Sequence, residues 1–317
     1  MQLLVKETSG SYIAKNKGER LNPLNDYLFR QYMGTEECKI CLISFLNAVL
    51  EEELTDVEII ENLELPQETP EGKFSRLDIR AKLPNGTQVN IEVQLLDENN
   101  IVKRSQYYNG RLFISGIGLG DDYKELGKVI SINILNFNYL DYPEFHISSH
   151  FRVDQHPEDV LSDDQEIHFL ELKKFYKSEK YDRKNPLHRW MKYFDRNLDE
   201  DELKELVEMD KAIAAAEERS KRAAASEKEM RYYEALEDAR RNMISSMNYQ
   251  REQGFREGED RGRKEGRKEG KQEGIQEGEL RFATLTEHLL RDQRMEELQQ
   301  SIKDSELRES LYKEYAI

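Results

Sequence analysis

The stretch SRLDIRAKLPNGTQVNIEVQL, residues 75–95, alternates polar and apolar side chains on either side of Pro84-Asn85-Gly86. Successive side chains of a strand point to opposite faces. In the first half Leu77, Ile79, Ala81 and Leu83 therefore share one face, and Arg76, Asp78 and Arg80 share the other. In the second half Val89, Ile91, Val93 and Leu95 match the apolar face, leaving Asn90, Glu92 and Gln94 opposite. A two-residue Asn-Gly turn would pair Asp78 with Val93 and send the two apolar sets to different faces. A three-residue loop, Pro84-Asn85-Gly86, instead pairs Leu83 with Thr87 and brings every apolar residue to one side. It also suits a type I turn followed by a left-handed glycine. In this register Asp78 faces Glu92, and Arg76 faces Gln94.

Two carboxylates directly opposed across strands repel, with Cβ atoms about 4.5–5.5 Å apart. A hard divalent cation removes that penalty, since Mg²⁺ binds through one or two carboxylates plus waters and substrate phosphates. Read from the residues alone, Asp78 and Glu92 are either a metal site or two solvated carboxylates kept apart by Arg76 and Arg80.

The rest of the chain frames this hairpin. Asn22-Pro23 is expected to start a helix that Gly34 ends, and Thr35 to cap a second helix running to Leu50 on an apolar face of Ile40, Ile43, Leu46 and Leu50. A further helix is expected over 102–115 and strands over 128–137 and 144–153, with IHFLELKKF, 167–175, as an edge strand. The predicted organisation is an α/β domain over 1–175, a helical extension over 176–250, a glycine repeat over 251–279 and a helical segment over 280–317. In the repeat, glycine recurs at 254, 258, 262, 266, 270, 274 and 278 among Arg, Lys and Glu, which reads as either a charged tether or a helix. Each such glycine costs a helix about 1 kcal/mol relative to alanine.

A net charge of −16 argues against broad coating of nucleic acid, but not against a local basic patch. No apolar run reaches the roughly 18 residues of a membrane span, and no secretory leader is recognisable, so a soluble cytoplasmic protein is expected. Cys38 and Cys41 lack a second pair for zinc and read as buried helix cysteines; GIGLGDD, 116–122, follows a helix and reads as a turn. His146 and His150 fall in a strand-like run without convincing metal geometry.

Five blocks occur in order: LNPLNDYLFRQYMG, LISFLNAVL, RLDIRAKLPNGTQVNIEVQ, VKRSQYYNGRLF and YKELGKVISINILNF. Together they resemble the recombination-promoting nuclease and putative transposase family, a branch of the PD-(D/E)XK nuclease superfamily. The resemblance covers about residues 20–145, and the glycine repeat is similar to that family's usual tail. It implies a restriction-endonuclease-like core, a mixed central sheet flanked by helices, here with a charged helical C-terminal extension. It also implies Mg²⁺- or Mn²⁺-dependent cleavage of DNA phosphodiesters in recombination or mobile-element activity. By position, Asp78 matches the motif aspartate and Glu92 the second metal ligand. Gln94 stands where many relatives carry lysine, and Asp26 at the acidic position this branch keeps near the site. Arg76, Lys103 or Arg104 is the expected source of the missing positive charge.

Arg104, Tyr108 and Arg111 recur at i, i+4 and i+7 of the helix over 102–115, either gripping DNA or completing the core. A second class of function is a catalytically retired nuclease fold that works in regulation. Its C-terminal arm would then mediate homo-oligomerisation.

Overall fold

The computed structural model describes residues 20–60, 79–178 and 181–317. The chain divides into two units, Met1–Arg241 and Asn242–Ile317.

In the first unit, helices α1 (Asp26–Met33) and α2 (Lys39–Leu50) precede strand β1 (Glu58–Ile59). Strands β2 (Ile79–Lys82) and β3 (Gln88–Gln94) form the hairpin, followed by helix α3 (Ile101–Ile114) and β4 (Val129–Leu135). Next come β5 (His146–Val153), β6 (His156–Glu171), α4 (Leu172–Lys177), α5 (Pro186–Tyr193), α6 (Glu200–Met209) and α7 (Lys211–Ala225). Helix α8 (Glu227–Arg291) begins in this unit and ends in the next, which adds α9 (Met295–Ser301) and α10 (Ser305–Glu314).

The strands form one mixed sheet of order β1-β2-β3-β4-β6-β5, with β3-β4 and β4-β6 parallel and the other pairs antiparallel. The expected hairpin register is present: Ile79 pairs with Ile91, Arg80 with Asn90 and Ala81 with Val89. Leu83 N–H donates to Thr87 O at 2.8 Å, and Gly86 has φ +92°, the left-handed conformation the turn requires. Arg76, Leu77 and Asp78 lie outside the described residues.

One sheet face is apolar. Ile79, Ala81, Val89, Ile91, Val93, Ile130, Ile132, Ile134 and Leu170 belong to a core shared with residues of α1, α2, α5 and α7. Trp190 of α5 is fully buried there, donates its indole N–H to Ser44 Oγ at 3.1 Å and packs edge-on to Phe45. The helices after residue 175 thus complete the core of the sheet. Gly34 sits at a close approach, where a Cβ would lie 2.7 Å from Ile79 Cδ1 and 3.1 Å from Arg30 O, so a larger residue would force Ile79 to shift.

Four local expectations are corrected. Helix α1 starts three residues late, with Asn25 as N-cap accepting from the N–H groups of Tyr27 and Leu28, while Asn22-Pro23 forms the turn before it. Thr35 makes no side-chain cap; its hydroxyl donates to Gln31 O, and a short 3₁₀ turn, Glu36–Cys38, leads into α2. The buried side of α2 is Cys41, Leu42, Phe45, Leu46 and Val49, whereas Ile40 is exposed, because α1, α5 and α7 all pack against this nearly all-apolar helix. Strand β6 is internal, between β4 and β5, so β5 forms the edge. Cys38 and Cys41 are buried and free, with Cys41 Sγ donating to Ala212 O.

The glycine repeat is helical throughout, inside α8. A Cβ added at any glycine from 254 to 278 would meet nothing within 4 Å. In the second unit, Leu285 and Leu289 of α8 pack with Leu311 and Tyr312 of α10. No helix among the described residues is long and apolar enough to cross a membrane.

Candidate active site

The second face of the sheet is polar and covered. Along β3 and β4, Asn90, Glu92, Ser131 and Asn133 replace the aliphatic residues of the other face, and each is 1% exposed. Helix α3 lies over them and supplies matching groups. Ser105 Oγ donates to Asn133 Oδ1 at 2.8 Å, Asn109 Nδ2 to Ser131 Oγ at 3.0 Å, and Ser131 Oγ in turn to Asn90 Oδ1 at 2.7 Å. Asn133 Nδ2 donates to His168 O, tying the network to β6. Buried polar groups cost stability unless hydrogen-bonded, so these contacts hold α3 in one position over the sheet.

Glu92 is the acidic member of this face. Its carboxylate would carry a severe desolvation penalty if unneutralised. Arg104 of α3 meets it, Nε donating to Glu92 Oε2 at 3.2 Å, and the guanidinium lies over the Tyr108 ring, 5.3 Å from its centroid. Burial alone would lower the Arg104 pKa; Glu92 and Tyr108 raise it on balance, so the group stays cationic. Beside it on the hairpin, Arg80 is 8% exposed and donates to Gln88 Oε1. Gln94 follows on the same side of β3 as Glu92 and pairs with Leu135 of β4.

The structure therefore brings together Glu92, Arg104 and Tyr108, with Gln94 two residues along the strand. Arg111 is one turn further along α3 and donates to Tyr107 Oη at 2.9 Å. Lys103 is exposed. Asp26 opens α1, and its electrostatic neighbours are Arg30, Glu237 and Arg240. It is exposed at the surface, yet its carboxyl pKa is raised, first by desolvation; Arg30 opposes the rise, Glu237 adds to it and Arg240 opposes it. Asn25 fixes this neighbourhood, donating from Nδ2 to Glu237 Oε1 at 3.0 Å and to Tyr233 O.

The sequence reading missed the polar network, taking 128–137 only as a strand. Ser131 and Asn133 at alternate positions of VISINIL were the available signal. It also missed a neighbouring cluster on β5 and β6. There Glu166 Oε1 lies 2.8 Å from His168 Nε2 and 3.3 Å from His150 Nε2, and Lys128 Nζ lies 2.9 Å from Glu166 Oε2. The His168 contact, with Lys128, holds the Glu166 pKa down at about 2 against desolvation. Burial and the adjacent His168 push His146 down to about 4. A cavity of about 1230 Å³ lined by Arg20, Tyr193, Lys204 and Glu217 includes neither Glu92 nor Asp26.

The model of the PD-(D/E)XK nuclease family transposases matches residues 23–250, taking in the whole sheet and its helices. The chain belongs to this family. Comparison with curated proteins and with solved structures returned no match. The mixed sheet with flanking helices and a helical C-terminal part is the restriction-endonuclease-like fold of PD-(D/E)XK proteins. The match associates the chain with nucleases and mobile elements, and it ends before the glycine repeat.

Among the described residues no group of three or more His, Cys, Asp or Glu is arranged to hold a metal. A hard-cation site of this fold does not need three, because two carboxylates suffice when water and phosphate complete the shell. Glu92 supplies oxygen donors of the right chemistry, in a polar layer where Ser105 hydrogen-bonds to Asn133 and Ser131 to Asn90, and Arg104 meets its carboxylate.

Proposed function

We propose that this PD-(D/E)XK family member is a divalent-metal-dependent DNA endonuclease acting in recombination or transposition, with Asp78 and Glu92 as its metal ligands. What carries the reading is the register of β2 and β3. Ile79 opposes Ile91, the register from which the sequence derives its expectation of an Asp78–Glu92 pair, and Glu92 is buried on the polar face of β3.

A bound Mg²⁺ or Mn²⁺ supplies Lewis-acid polarisation of the phosphodiester and a lowered pKa for water. The side chains do the rest. Glu92 is buried, and Arg104 Nε donates to one of its carboxylate oxygens. Gln94 offers both a hydrogen-bond donor and an acceptor to orient the attacking water, but no positive charge. Arg104 provides that charge from α3, the role the sequence left open among Arg76, Lys103 and Arg104. Asp26 is a supporting group at the start of α1 whose carboxyl pKa is raised, first by desolvation. Helix α3 carries Lys103, Arg104 and Arg111 and no acidic residue between Ile101 and Ile114, giving a local phosphate-binding surface on an acidic chain.

The test is nicking of supercoiled plasmid in a Mg²⁺ titration. The wild type is expected to nick, and Asp78→Ala and Glu92→Ala to be inactive with unchanged circular dichroism. Nicking that persists in both variants removes this site. A wild type that neither nicks nor binds divalent metal by calorimetry supports the retired-nuclease alternative.

A further inference from the structure

Helix α3 presents an aromatic side chain that neither the core nor the proposed chemistry uses. Tyr107 is 54% exposed, while its neighbour Tyr108 is buried beneath Arg104. Its position is fixed nonetheless. Arg111 NH1 donates to the Tyr107 hydroxyl at 2.9 Å with the guanidinium 5.6 Å from the ring centroid, and the Tyr108 ring meets it edge-on at 5.3 Å. Tyr107 lies three residues after Arg104, and side chains three apart on a helix are neighbours. A rigid, solvent-facing ring thus stands one helical step from the guanidinium that touches Glu92.

A flat ring beside cations is the chemistry of single-strand recognition: an unpaired base has a free face to stack, whereas bases inside a duplex do not. Grip on a duplex comes from many phosphate contacts, which a chain of net charge −16 with three cations on α3, and Glu98 close to Arg104, supplies sparingly. We propose that Tyr107, braced by Arg111, stacks on an unpaired base next to the scissile phosphate, and that single-stranded DNA is the preferred substrate. This rests on the nuclease reading above and adds to it the class of DNA.

The experiment measures fluorescence anisotropy of full-length protein with labelled single-stranded DNA of about 16 nucleotides, within the site sizes of single-strand binders. The same-sequence duplex and the ribo-oligonucleotide are run beside it, all with Ca²⁺ in place of Mg²⁺. Wild type is expected to bind the single strand more tightly than the other two. Tyr107→Ala is expected to weaken single-strand binding by about 5- to 150-fold, the range for loss of one stacked base. Tyr107→Phe should keep most of the affinity, and duplex binding should change less than about twofold. Tighter wild-type binding of duplex or RNA, an unchanged Tyr107→Ala, or equal losses on single strand and duplex each overturn the proposal. Because binding is read without cleavage, a protein that nicks but ignores Tyr107→Ala sinks this inference alone. A protein that binds through Tyr107 and never nicks sinks the nuclease reading instead.

Discussion

The two faces of strand β3 are built from opposite materials. Val89, Ile91 and Val93 point into a core of aliphatic and aromatic side chains, while Asn90 and Glu92, equally buried, point into a hydrogen-bonded layer under α3. The apolar face can tolerate small rearrangements, because hydrophobic contact is non-directional. The polar face cannot, because each buried donor and acceptor needs its partner at hydrogen-bonding distance. Such a face is a poor source of stability and a good place to hold a charge still, which is what a hydrolytic site requires.

Four changes would break or sharpen this contrast. The largest effect is expected from Glu92→Gln, which keeps shape and loses charge. Nicking should fall by about 10²- to 10³-fold, the range for removing an essential transition-state electrostatic group, while the melting temperature moves little or rises. A variant that keeps near-wild-type nicking would show that the polar face is structural. Next, Arg104→Met leaves Glu92 with its main cationic contact gone, at a cost of about 3 kcal/mol in urea unfolding. Added Mg²⁺ should restore part of that loss if Glu92 is a ligand, and restore none if it is not.

On the apolar face, Ile91→Ala should destabilise by about 2–4 kcal/mol through the cavity it leaves, with Mg²⁺ affinity of the folded protein preserved. Parallel loss of metal binding would mean the two faces are not independent. The smallest effect concerns the strand end carrying the histidines. His146 is held neutral, with its pKa near 4 against an ordinary 6.5. Its unfolded form therefore takes up a proton that the native form refuses, and stability is lost as pH falls from 6.5 through 4. His146→Gln should flatten that part of the urea midpoint–pH profile, by at most about 1.4 kcal/mol per pH unit. An unchanged profile would place the sensitivity elsewhere.

Much of the hairpin could be read before any coordinates were known. Period-two patterning and a Pro-Asn-Gly loop leave one register that puts all the apolar residues on one side, and Ile79–Ile91 pairing realises it. Helix boundaries were less legible. Asn22-Pro23 carries the cap signal in sequence, yet Asn25 caps α1, where Tyr233 and Glu237 engage its amide and Tyr233 Oη accepts from Asn22 N–H. Those partners lie more than two hundred residues away. Sequence separation also hid the place of β6, since parallel pairing with β4, 36 residues away, leaves no local signature.

The sequence by itself determined which side chains alternate, where the turn lies, and that Glu92 and Gln94 share a face, because these follow from backbone geometry over a few residues. Only the tertiary structure decided that this face is covered and not solvated, that Arg104 and not Lys103 meets Glu92, and that Tyr107 and not Tyr108 is left to solvent. Those outcomes depend on the rotation of α3 over the sheet, which is set by Ser105, Asn109, Ser131 and Asn133 hydrogen-bonding across elements that no local pattern connects.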